Sequence, residues 1–399
     1  MGLATPWTRV KLGNIGQSLI GLTYSPNNVK RSGTLVLRSS NIQDGRLNFE
    51  DNVYVDCKIP DRIRVQEKDI LICVRNGSRR LIGKSVMLDR RVVGQTFGAF
   101  MTVFRSDANP YLQYFFQSDD FKKQIDEHLG ATINQITNGS LNSFIVDLPS
   151  RGEQQAIAGK LQDVDQVIAS LERLITKKQA VKQGMMQELL TGRTRLPGFH
   201  QHWPSMALSE VAGYHRETVD PRRYPTRLFE HYSLPAFDSG QGPIKEHGSA
   251  IESIKFVLPP EAVMVSKLNP RIPRVWAPEK IGKNAVASTE FIVLTARAGV
   301  NRAFLYWLLK SDAVAERMKL LAVGTTGSHA RIHPAYVRAI EVQVPGETEQ
   351  HAIASILDDV SSELVILRAR LDKIRAIKQG MMQELLTGRM RLPVSEAVA

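Results

Sequence analysis

Cysteine and long apolar runs are both scarce in this sequence, and each shortage excludes a class of protein. The 399 residues include two cysteines, Cys57 and Cys73, which lie in apolar, strand-like surroundings. Because neither belongs to a CxxC pair or to a Cys/His spacing typical of zinc, we expect two reduced thiols in the interior. No segment reaches the ~20 apolar residues that a membrane-spanning helix needs. The first residues lack the pattern of a signal peptide, so we expect a cytoplasmic protein.

The motifs of common catalytic centres are also missing. Neither a GxGxxG dinucleotide turn nor a GxxxxGK[ST] phosphate loop occurs. Asn269-Pro270 lacks the aromatic residue that completes the motif of adenine methyltransferases. His329 and His333 stand four residues apart, but Pro334 disfavours the helix that would bring them together. We therefore expect neither a catalytic residue nor a metal site in this chain.

Positive charge, in contrast, is abundant. Lys and Arg total 52 against 40 Asp and Glu, which gives a net charge of +12, and the isoelectric point is about 9.7. Such a charge attracts polyanions without identifying one. A hydrophobic content of 43% is ordinary for a folded protein, and the length suits two or three compact domains.

The strongest signal is an internal repeat with an offset of 196 residues. The segment KQGMMQELLTGR at 182–193 recurs letter for letter at 378–389. From Glu153 to Pro197, 26 of the 45 positions are identical at this offset. Trp7 also corresponds to Trp203, whereas the segments between these matches look unrelated. The chain therefore consists of two copies of one unit, a variable globular part followed by a near-constant part, which predicts a pseudo-twofold molecule.

The near-constant parts have the apolar pattern of long helices. Apolar residues recur alternately four and three positions apart in both copies, with one interruption at Lys178. This is the heptad seam of a coiled coil, so we expect the two helices to pack together. Gly184 and Gly380 predict a local weakness or a close helix approach. Gly192 and Gly388 predict the ends of the helices.

The variable parts, 1–150 and 198–345, each predict an α+β module. Short apolar runs broken by Gly, Asn and Asp indicate strands, and the segments Tyr111–Leu129 and Arg302–Leu321 indicate one helix each. The predicted strands are Thr34–Leu37, Asp69–Val74, Ser85–Leu88, Ala99–Phe104, Phe144–Leu148, Ala262–Val265, Glu290–Leu294 and Ile340–Val344.

Polar loops in both variable parts carry side chains that suit DNA. Lys and Arg reach phosphates, and Arg and Asn also bind base edges in the major groove. Four such loops, at two matched positions of a basic protein, indicate nucleic-acid binding. In the first half the candidate contacts are Arg75, Asn76, Ser78, Arg79, Arg80, Lys84, Thr132 and Asn134. In the second half they are Lys267, Asn269, Arg271, Arg274, Thr325, Thr326, Ser328, His329 and Arg331.

With the repeat and the loops together, the chain resembles the specificity subunits of type I restriction-modification systems, the HsdS family. The resemblance covers essentially the whole length. Its most specific parts are the paired KQGMMQELLTGR segments and the stretch ICVRNGSRRLIGK at 72–84. The segment RSSNI at 38–42 is similar to the early target-domain strand of the family, which adds Arg38 and Asn41 to the candidate DNA contacts. The second variable part matches less well.

The resemblance implies two globular target recognition domains, 1–150 and 198–345, joined and separated by two long helices in spacers at 151–197 and 346–393, with a tail at 394–399. Each domain is expected to read one half of a bipartite, asymmetric DNA site, and the chain itself to be non-catalytic and free of cofactors. Two methyltransferase subunits are expected to supply S-adenosylmethionine and adenine methylation. Two motor-nuclease subunits are expected to supply translocation and cleavage that depend on ATP and Mg.

A DNA duplex places its own constraint on such a molecule. Two related domains on one duplex share its local twofold axis, which makes the helices between them antiparallel. The correspondence of Trp7 with Trp203 predicts that 389–393 packs beside Trp7, as 193–197 leads into Trp203, in a circular arrangement. Four residues inserted near Thr191 would lengthen the helix by about 6 Å. That is roughly two base pairs at ~3.4 Å each, so the gap between half-sites should widen.

Three other functions fit the same sequence. A standalone DNA-binding regulator, dimerised through its coiled coil, would bind specific DNA tightly without a methyltransferase. A scaffold whose basic faces bind protein would bind DNA weakly and with little dependence on salt, whereas phosphate contacts make affinity fall steeply with salt. The recognition subunit of a related bifunctional restriction enzyme would differ in its partner subunits.

Overall fold

The computed structural model describes residues 7–129, 134–240, 242–324 and 330–393. The chain forms two compact units, which are considered separately below. The first unit comprises the residues up to Leu171 and those from Arg370 onward, and the second comprises Glu172–Ala369. Among the described residues, no helix is both long enough and apolar enough to span a membrane.

The first unit combines an α+β part with portions of two long helices. Its strands are β1 (Thr8–Lys11), β2 (Gln17–Ile20), β3 (Val29–Lys30), β4 (Thr34–Leu37), β5 (Ile42–Gln43), β6 (Arg46–Leu47), β7 (Tyr54–Val55), β8 (Ile70–Cys73), β9 (Ser85–Met87), β10 (Thr96–Phe97), β11 (Met101–Arg105) and β12 (Ile145–Leu148). Its helices are α1 (Asn109–Phe115), α2 (Asp119–His128), α3 (Asn138–Ser143) and the first portion of α4 (Arg151–Leu189), together with the last portion of the long helix Glu347–Leu385. Two four-stranded sheets have the orders β2-β11-β8-β9 and β10-β4-β7-β3, and β1 pairs with β12.

The second unit repeats this plan. Its strands are β13 (Ser205–Ala207), β14 (Ala212–His215), β15 (Thr218–Val219), β16 (Leu228–Tyr232), β17 (Ile244–His247), β18 (Lys255–Val257), β19 (Val263–Ser266), β20 (Val275–Trp276), β21 (Ala285–Ala287), β22 (Phe291–Ala296) and β23 (Glu341–Gln343). Its helices are α5 (Leu208–Val211), α6 (Leu234–Ser239), α7 (Arg302–Lys310), α8 (Asp312–Leu320), α9 (Pro334–Arg338) and the first portion of α10 (Glu347–Leu385).

Two sheets of the first unit have counterparts in the second unit, strand for strand. The order β14-β22-β19-β20 in the second unit matches β2-β11-β8-β9 in the first, and β13-β23 matches β1-β12. Each unit also has a larger sheet with one parallel pair. It is β10 with β4 in a four-stranded sheet of the first unit, and β21 with β16 in the five-stranded sheet β15-β18-β21-β16-β17 of the second. The two variable parts therefore share one α+β fold although their sequences look unrelated.

The central strands explain how the apolar runs of the sequence are used. In β8, Ile70 and Ile72 pack into one hydrophobic cluster, whereas Leu71 and Cys73 pack into another. Successive side chains point to opposite faces of a strand, so a strand covered on both faces is apolar throughout. Both cysteines are free thiols, as predicted; Cys73 is buried and Cys57 is half-buried.

Two helices predicted from the sequence are in fact pairs of shorter helices. The segment Tyr111–Leu129 is divided between α1 and α2, and Arg302–Leu321 is divided between α7 and α8. Ser118 and Ser311 start the second helix of each pair, because each hydroxyl accepts the backbone N–H group three residues ahead. This is the usual N-cap role of serine, and the following acidic residue favours a helix start.

The heptad seam of the long helices is buried as predicted. Residues Ile157, Leu161, Ile168, Leu171 and Ile175 of α4 are buried, as are Ile353, Leu357, Leu364, Leu367 and Leu371 of α10. In the first unit, Lys378 Nζ lies 2.7 Å from Asp165 Oδ1. In the second, Lys178 Nζ lies 2.7 Å from Glu363 Oε2. Within the first unit Glu153 pairs with Arg391, and within the second Arg195 pairs with Glu349. In each unit the earlier residue of one segment meets the later residue of the other, so the helix portions are antiparallel, as predicted.

The four repeated glycines fall into two pairs, one beyond the ends of the long helices and one inside them. Gly192 and Gly388 both have φ near +69° and lie just beyond the ends of α4 and α10, as predicted. Gly184 and Gly380 lie inside unbroken helices, and a Cβ atom built on either would meet nothing within 4 Å. The prediction of a close helix approach at these two glycines is therefore wrong for the described residues.

Candidate nucleic-acid interface

Two polar loops of the first unit are joined through their backbones. One is the β8–β9 connection, 74–84, and the other ends at Gln135. Arg75 and Gln135 form an isolated antiparallel bridge, and Ile136 N donates to the Val74 carbonyl at 2.8 Å. The Asn134 side chain donates to the Gly77 carbonyl at 3.3 Å. The β8–β9 connection and the described end of the second loop, 134–136, are therefore in direct contact.

The second unit has the same construction in the equivalent place. The β19–β20 connection carries Lys267–Arg274, and Leu268 forms an isolated antiparallel bridge with Arg331. Ile332 N donates to the Lys267 carbonyl at 3.0 Å, and Asn269 N donates to the Ala330 carbonyl at 2.7 Å. The matched loop positions predicted from the sequence are thus matched in the fold. The predicted contacts Thr132, Thr325, Thr326, Ser328 and His329 lie outside the described residues.

The basic residues of the first loop pair differ in how they are held. Arg79 lies against α2, with Nη2 3.5 Å from Asp126 Oδ1. Arg80 is exposed and Lys84 is half-buried. Arg75 is exposed, and its guanidinium lies over the ring of Phe100, 5.1 Å from the centroid. These residues place positive charge along the β8–β9 connection, which suits the binding of phosphates.

The polar residues of this loop make local hydrogen bonds. The Asn76 amide donates to Ser39 Oγ at 3.3 Å and accepts from Ser78 N at 3.0 Å. Arg38 Nη2 lies 2.8 Å from Asp51 Oδ2. A cleft of about 530 Å³ opens between these loops, and it is lined in part by Tyr24, Arg38, Ser39, Asn76 and Phe100. Arg38 and Asn76, predicted from distant segments, therefore share one cleft.

Asn41 has a different role from the one that the sequence predicted. Its side chain is fully buried, and its amide donates to the carbonyls of Asn48 and Asp51 at 3.0 and 3.3 Å. Its carbonyl oxygen accepts from Arg38 N at 2.9 Å. The side chain has no free face for DNA, so the prediction of a direct contact is wrong; Asn41 holds the loop that carries Arg38.

Acidic residues hold two of the predicted basic contacts in the second unit. Arg274 makes two hydrogen bonds to the Asp238 carboxylate, at 2.7 and 3.0 Å. Arg331 Nε lies 3.1 Å from Glu290 Oε2. These ion pairs lower the net positive charge of the loops in the second unit. They also fix the orientation of the two guanidinium groups.

The other predicted contacts of the second unit are less constrained. Arg271 is exposed. Lys267 is half-buried, and burial lowers its pKa, an effect that the nearby Glu290 carboxylate opposes. Asn269 has φ of +47°, a left-handed conformation that asparagine tolerates better than most residues. The loop therefore turns sharply beside the bridge to residue 331.

Sequence reasoning missed four residues that shape these surfaces. Phe100 and Tyr24 line the first cleft, and Asp238 and Glu290 hold arginines in the second unit. Phe100 was assigned to the strand that follows it, because an apolar residue beside an apolar run gives no signal of exposure. The acidic partners lie 36 and 41 residues from their arginines, so no local pattern connects them.

The repeated helical segments make equivalent contacts in both units. Gln379 and Gln383 donate to Asp119 Oδ2 at 3.4 Å. In the second unit, the corresponding glutamines 183 and 187 donate to Asp312 Oδ2 at 2.7 and 2.9 Å. The two aspartates are the first residues of α2 and α8. Part of the identity between the two repeats is therefore explained by their packing against the same helix start.

Comparison with known proteins is consistent with this architecture. The chain matches the type I restriction modification DNA specificity domain over residues 5–183 and 245–376. It belongs to that family. It is 26% identical over 199 residues to the StySPI specificity subunit of Salmonella potsdam and 28% identical over 206 residues to the EcoKI specificity subunit of Escherichia coli K12. Both are subunits of type I restriction enzymes.

The extent of these similarities differs between sequence and fold. Each of the two alignments covers 47% of this chain, and 43% and 44% of the respective relatives, so the chain aligns with less than half of either. The S subunit of a type I restriction-modification system from M. genitalium has a similar fold over 97% of both chains, with a TM-score of 0.58 at 15% identity. The fold class predicted from the sequence, two α+β domains with two long helices, is thereby confirmed.

Proposed function

We propose that this chain is the DNA-recognition subunit of a type I restriction-modification complex and that each unit reads one half of a bipartite, asymmetric site. The observation that supports this most is the pair of joined loops that recurs in both units. The loops stand on corresponding sheets but carry different side chains, which suits two half-sites of different sequence. The net charge of +12 suits a duplex, whose phosphates dominate affinity.

We assign the binding of partner subunits to the repeated helical segments. The same twelve residues occur twice, and the space around Gly184 and Gly380 is open. Identical surfaces bind identical partners, so two copies of a methyltransferase subunit would bind. In this proposal they supply S-adenosylmethionine and adenine methylation. Two motor-nuclease subunits supply translocation and cleavage that depend on ATP and Mg, and this chain contributes recognition without catalysis.

The decisive experiment is to co-express the chain with the methyltransferase subunit encoded beside it, in a host that lacks adenine methylation. N6-methyladenine is then mapped across the genome. We expect one bipartite motif, methylated once on each strand in different half-sites. The methyltransferase subunit expressed alone is the control, and it should methylate nothing.

A soluble, stable complex that adds no methylation would contradict the proposal. A standalone DNA-binding regulator would then be the leading alternative, and the purified chain should bind specific DNA tightly by itself. Weak binding that barely changes with salt would instead favour a protein scaffold, because contacts to phosphates release counterions and make affinity depend strongly on salt.

A further inference from the structure

Phe100 is an exposed aromatic residue at a place where its neighbours are buried. Its side chain is 57% exposed, whereas Met101, Val103 and Phe104 of the following strand are at most 1% exposed. The Phe100 carbonyl accepts hydrogen bonds from Val74 N and Arg75 N, both at 3.1 Å. These two bonds hold Phe100 against the start of the β8–β9 connection, 74–84, so the sheet determines where its ring lies.

The ring of Phe100 supports the guanidinium of Arg75. The two groups are stacked, with 5.1 Å between Arg75 Cζ and the ring centroid. Arg38 instead donates to the Asp51 carboxylate at 2.8 Å, and Arg79 donates to the Asp126 backbone carbonyl at 3.3 Å, so both already use some of their N–H donors. A ring face holds a guanidinium without using any of its five donors. Among these three arginines, and for partners within the described residues, Arg75 is therefore the one that is oriented while its N–H donors stay available.

The equivalent position in the second unit has different chemistry. Lys267 N donates to the Glu290 carbonyl at 2.8 Å, just as Val74 N donates to Phe100. Glu290 therefore stands where the first unit has Phe100, and its carboxylate holds Arg331 at 3.1 Å. One backbone position thus carries an arginine-supporting residue in both units, aromatic in one and acidic in the other.

We infer that Phe100 is a positioning residue that holds Arg75 extended for bidentate hydrogen bonding to a guanine in the half-site of the first unit. This inference rests on the proposed function. Guanine presents O6 and N7 as adjacent acceptors in the major groove, and a guanidinium matches both. An arginine ordered before binding loses less side-chain freedom on the DNA. Phe100 is therefore a determinant of specificity although it need not touch a base.

The test uses the complex of this chain with its methyltransferase subunit and the duplex identified by methylation mapping. Each guanine of both half-sites is replaced singly by 7-deazaguanine, which removes the N7 acceptor and preserves base pairing. For the wild-type complex we expect about tenfold weaker binding at one guanine of one half-site. The Arg75→Ala variant should bind that duplex and the natural one equally well.

The variants of Phe100 separate positioning from a structural role. The quantity compared is the ratio of the dissociation constant for the 7-deazaguanine duplex to that for the natural duplex. Phe100→Ala and Phe100→Leu should both reduce this ratio to about twofold or less, since neither alanine nor leucine has a ring face. Phe100→Tyr should restore it. Arg79→Ala is the matched control; it should weaken binding to both duplexes alike and leave the ratio unchanged.

The outcomes distinguish this inference from the proposed function. If Phe100→Ala keeps the full ratio, or if no guanine shows the effect in the wild-type complex, the inference is wrong while recognition by the chain still stands. If the wild-type complex does not prefer the bipartite duplex over a scrambled one, the proposed function itself fails. Because Phe100 is exposed, its variants should unfold at the wild-type temperature, which is measured alongside.

Discussion

The indole of Trp7 donates a hydrogen bond to the carboxylate of Glu153, with 3.1 Å between Nε1 and Oε2. Arg391 binds the same carboxylate through two further hydrogen bonds, at 2.6 and 2.8 Å. In the second unit, Trp203, Glu349 and Arg195 repeat the arrangement, with 3.0 Å from the indole to the carboxylate. The prediction that 389–393 packs beside Trp7 is therefore confirmed. One buried acid thus joins three distant segments in the first unit, and in the second it joins 195–203 to the start of α10.

Removing that acid should destabilise the first unit. Glu153 is 2% exposed, so Glu153→Ala leaves the indole N–H and the guanidinium without their acceptor in a partly buried site. We expect a loss of about 1–3 kcal/mol in the free energy of unfolding, measured by urea denaturation. Glu384→Gln is the control, because Glu384 pairs with Arg389 at the surface, and its effect should be close to zero. Equal effects of the two variants would contradict the assigned role of Glu153.

The two pairs of repeated glycines should respond in opposite directions to alanine. At Gly192 and Gly388, φ is +69° and a Cβ atom would lie 3.3–3.4 Å from Trp203 and Trp7 respectively. Alanine there should cost about 1–2 kcal/mol of stability. Gly184→Ala, in an open helical position, should instead stabilise the free chain by up to about 1 kcal/mol.

The same variant also tests the assigned partner surface. If the face around Gly184 binds a methyltransferase subunit, Gly184→Ala should weaken assembly while the free chain becomes more stable. Thermal unfolding and the dissociation constant of the complex measure the two effects separately. Stabilisation of the chain together with unchanged assembly would place the partner elsewhere.

The insertion that tests the spacer belongs inside the helices rather than near Thr191. Helix α4 ends at Leu189, and residues inserted at 191 would fall between the helix end and Arg195, which binds Glu349. We predict that seven residues inserted after Leu171 in α4 and seven after Ala369 in α10 preserve the heptad seam. Each helix lengthens by about 10 Å, so the gap between half-sites should widen by about three base pairs.

Methylation mapping of the insertion variant measures the gap between the half-sites. Unchanged half-sites with a wider gap would support a spacer role for the helices. Insertion of seven residues into α4 alone is the control, because it breaks the pairing between the two helices and should abolish assembly or recognition. Altered half-sites with an unchanged gap would contradict the prediction.

The β8–β9 connection, 74–84, should contribute to the affinity for DNA and to the dependence of that affinity on salt. Arg75→Ala combined with Arg79→Ala removes two exposed guanidinium groups, so binding of the first half-site should weaken. If one of them contacts a phosphate, the slope of log affinity against log salt should fall by about 0.9. Arg90→Ala is the matched control, since Arg90 is an exposed arginine paired with Glu67 outside the loop. Unchanged affinity and an unchanged motif in the double variant would show that the loop is not part of the interface.

Much of the architecture could be predicted from local patterns. The repeat of 182–193 at 378–389, the four-three spacing of apolar residues and the glycines at 192 and 388 each lie within short segments. The continuous apolar run of β8 and the basic loop after it are also local. Helix breaks at Ser118 and Ser311 were readable as well, because serine followed by aspartate is a typical helix start, but the apolar periodicity on both sides concealed them.

The exposure and the partners of the candidate site residues depended more on the tertiary structure. The burial of Asn41, the exposure of Phe100 and the pairing of Arg274 and Arg331 with acids all depend on segments tens of residues away. The sequence indicated matched loop positions in the two variable parts but not the strand orders of their sheets, since those orders also pair strands that are far apart along the chain, such as β2 with β11 and β14 with β22.

The sequence by itself determined that this protein is a duplicated, basic chain with two long heptad helices, because repeats, charge and helical periodicity are properties of composition and spacing. Only the tertiary structure decided which arginines are free to face a ligand and which are held by carboxylates or by a ring. That outcome depends on the path of the backbone, which brings distant segments together and leaves some donors satisfied and others open.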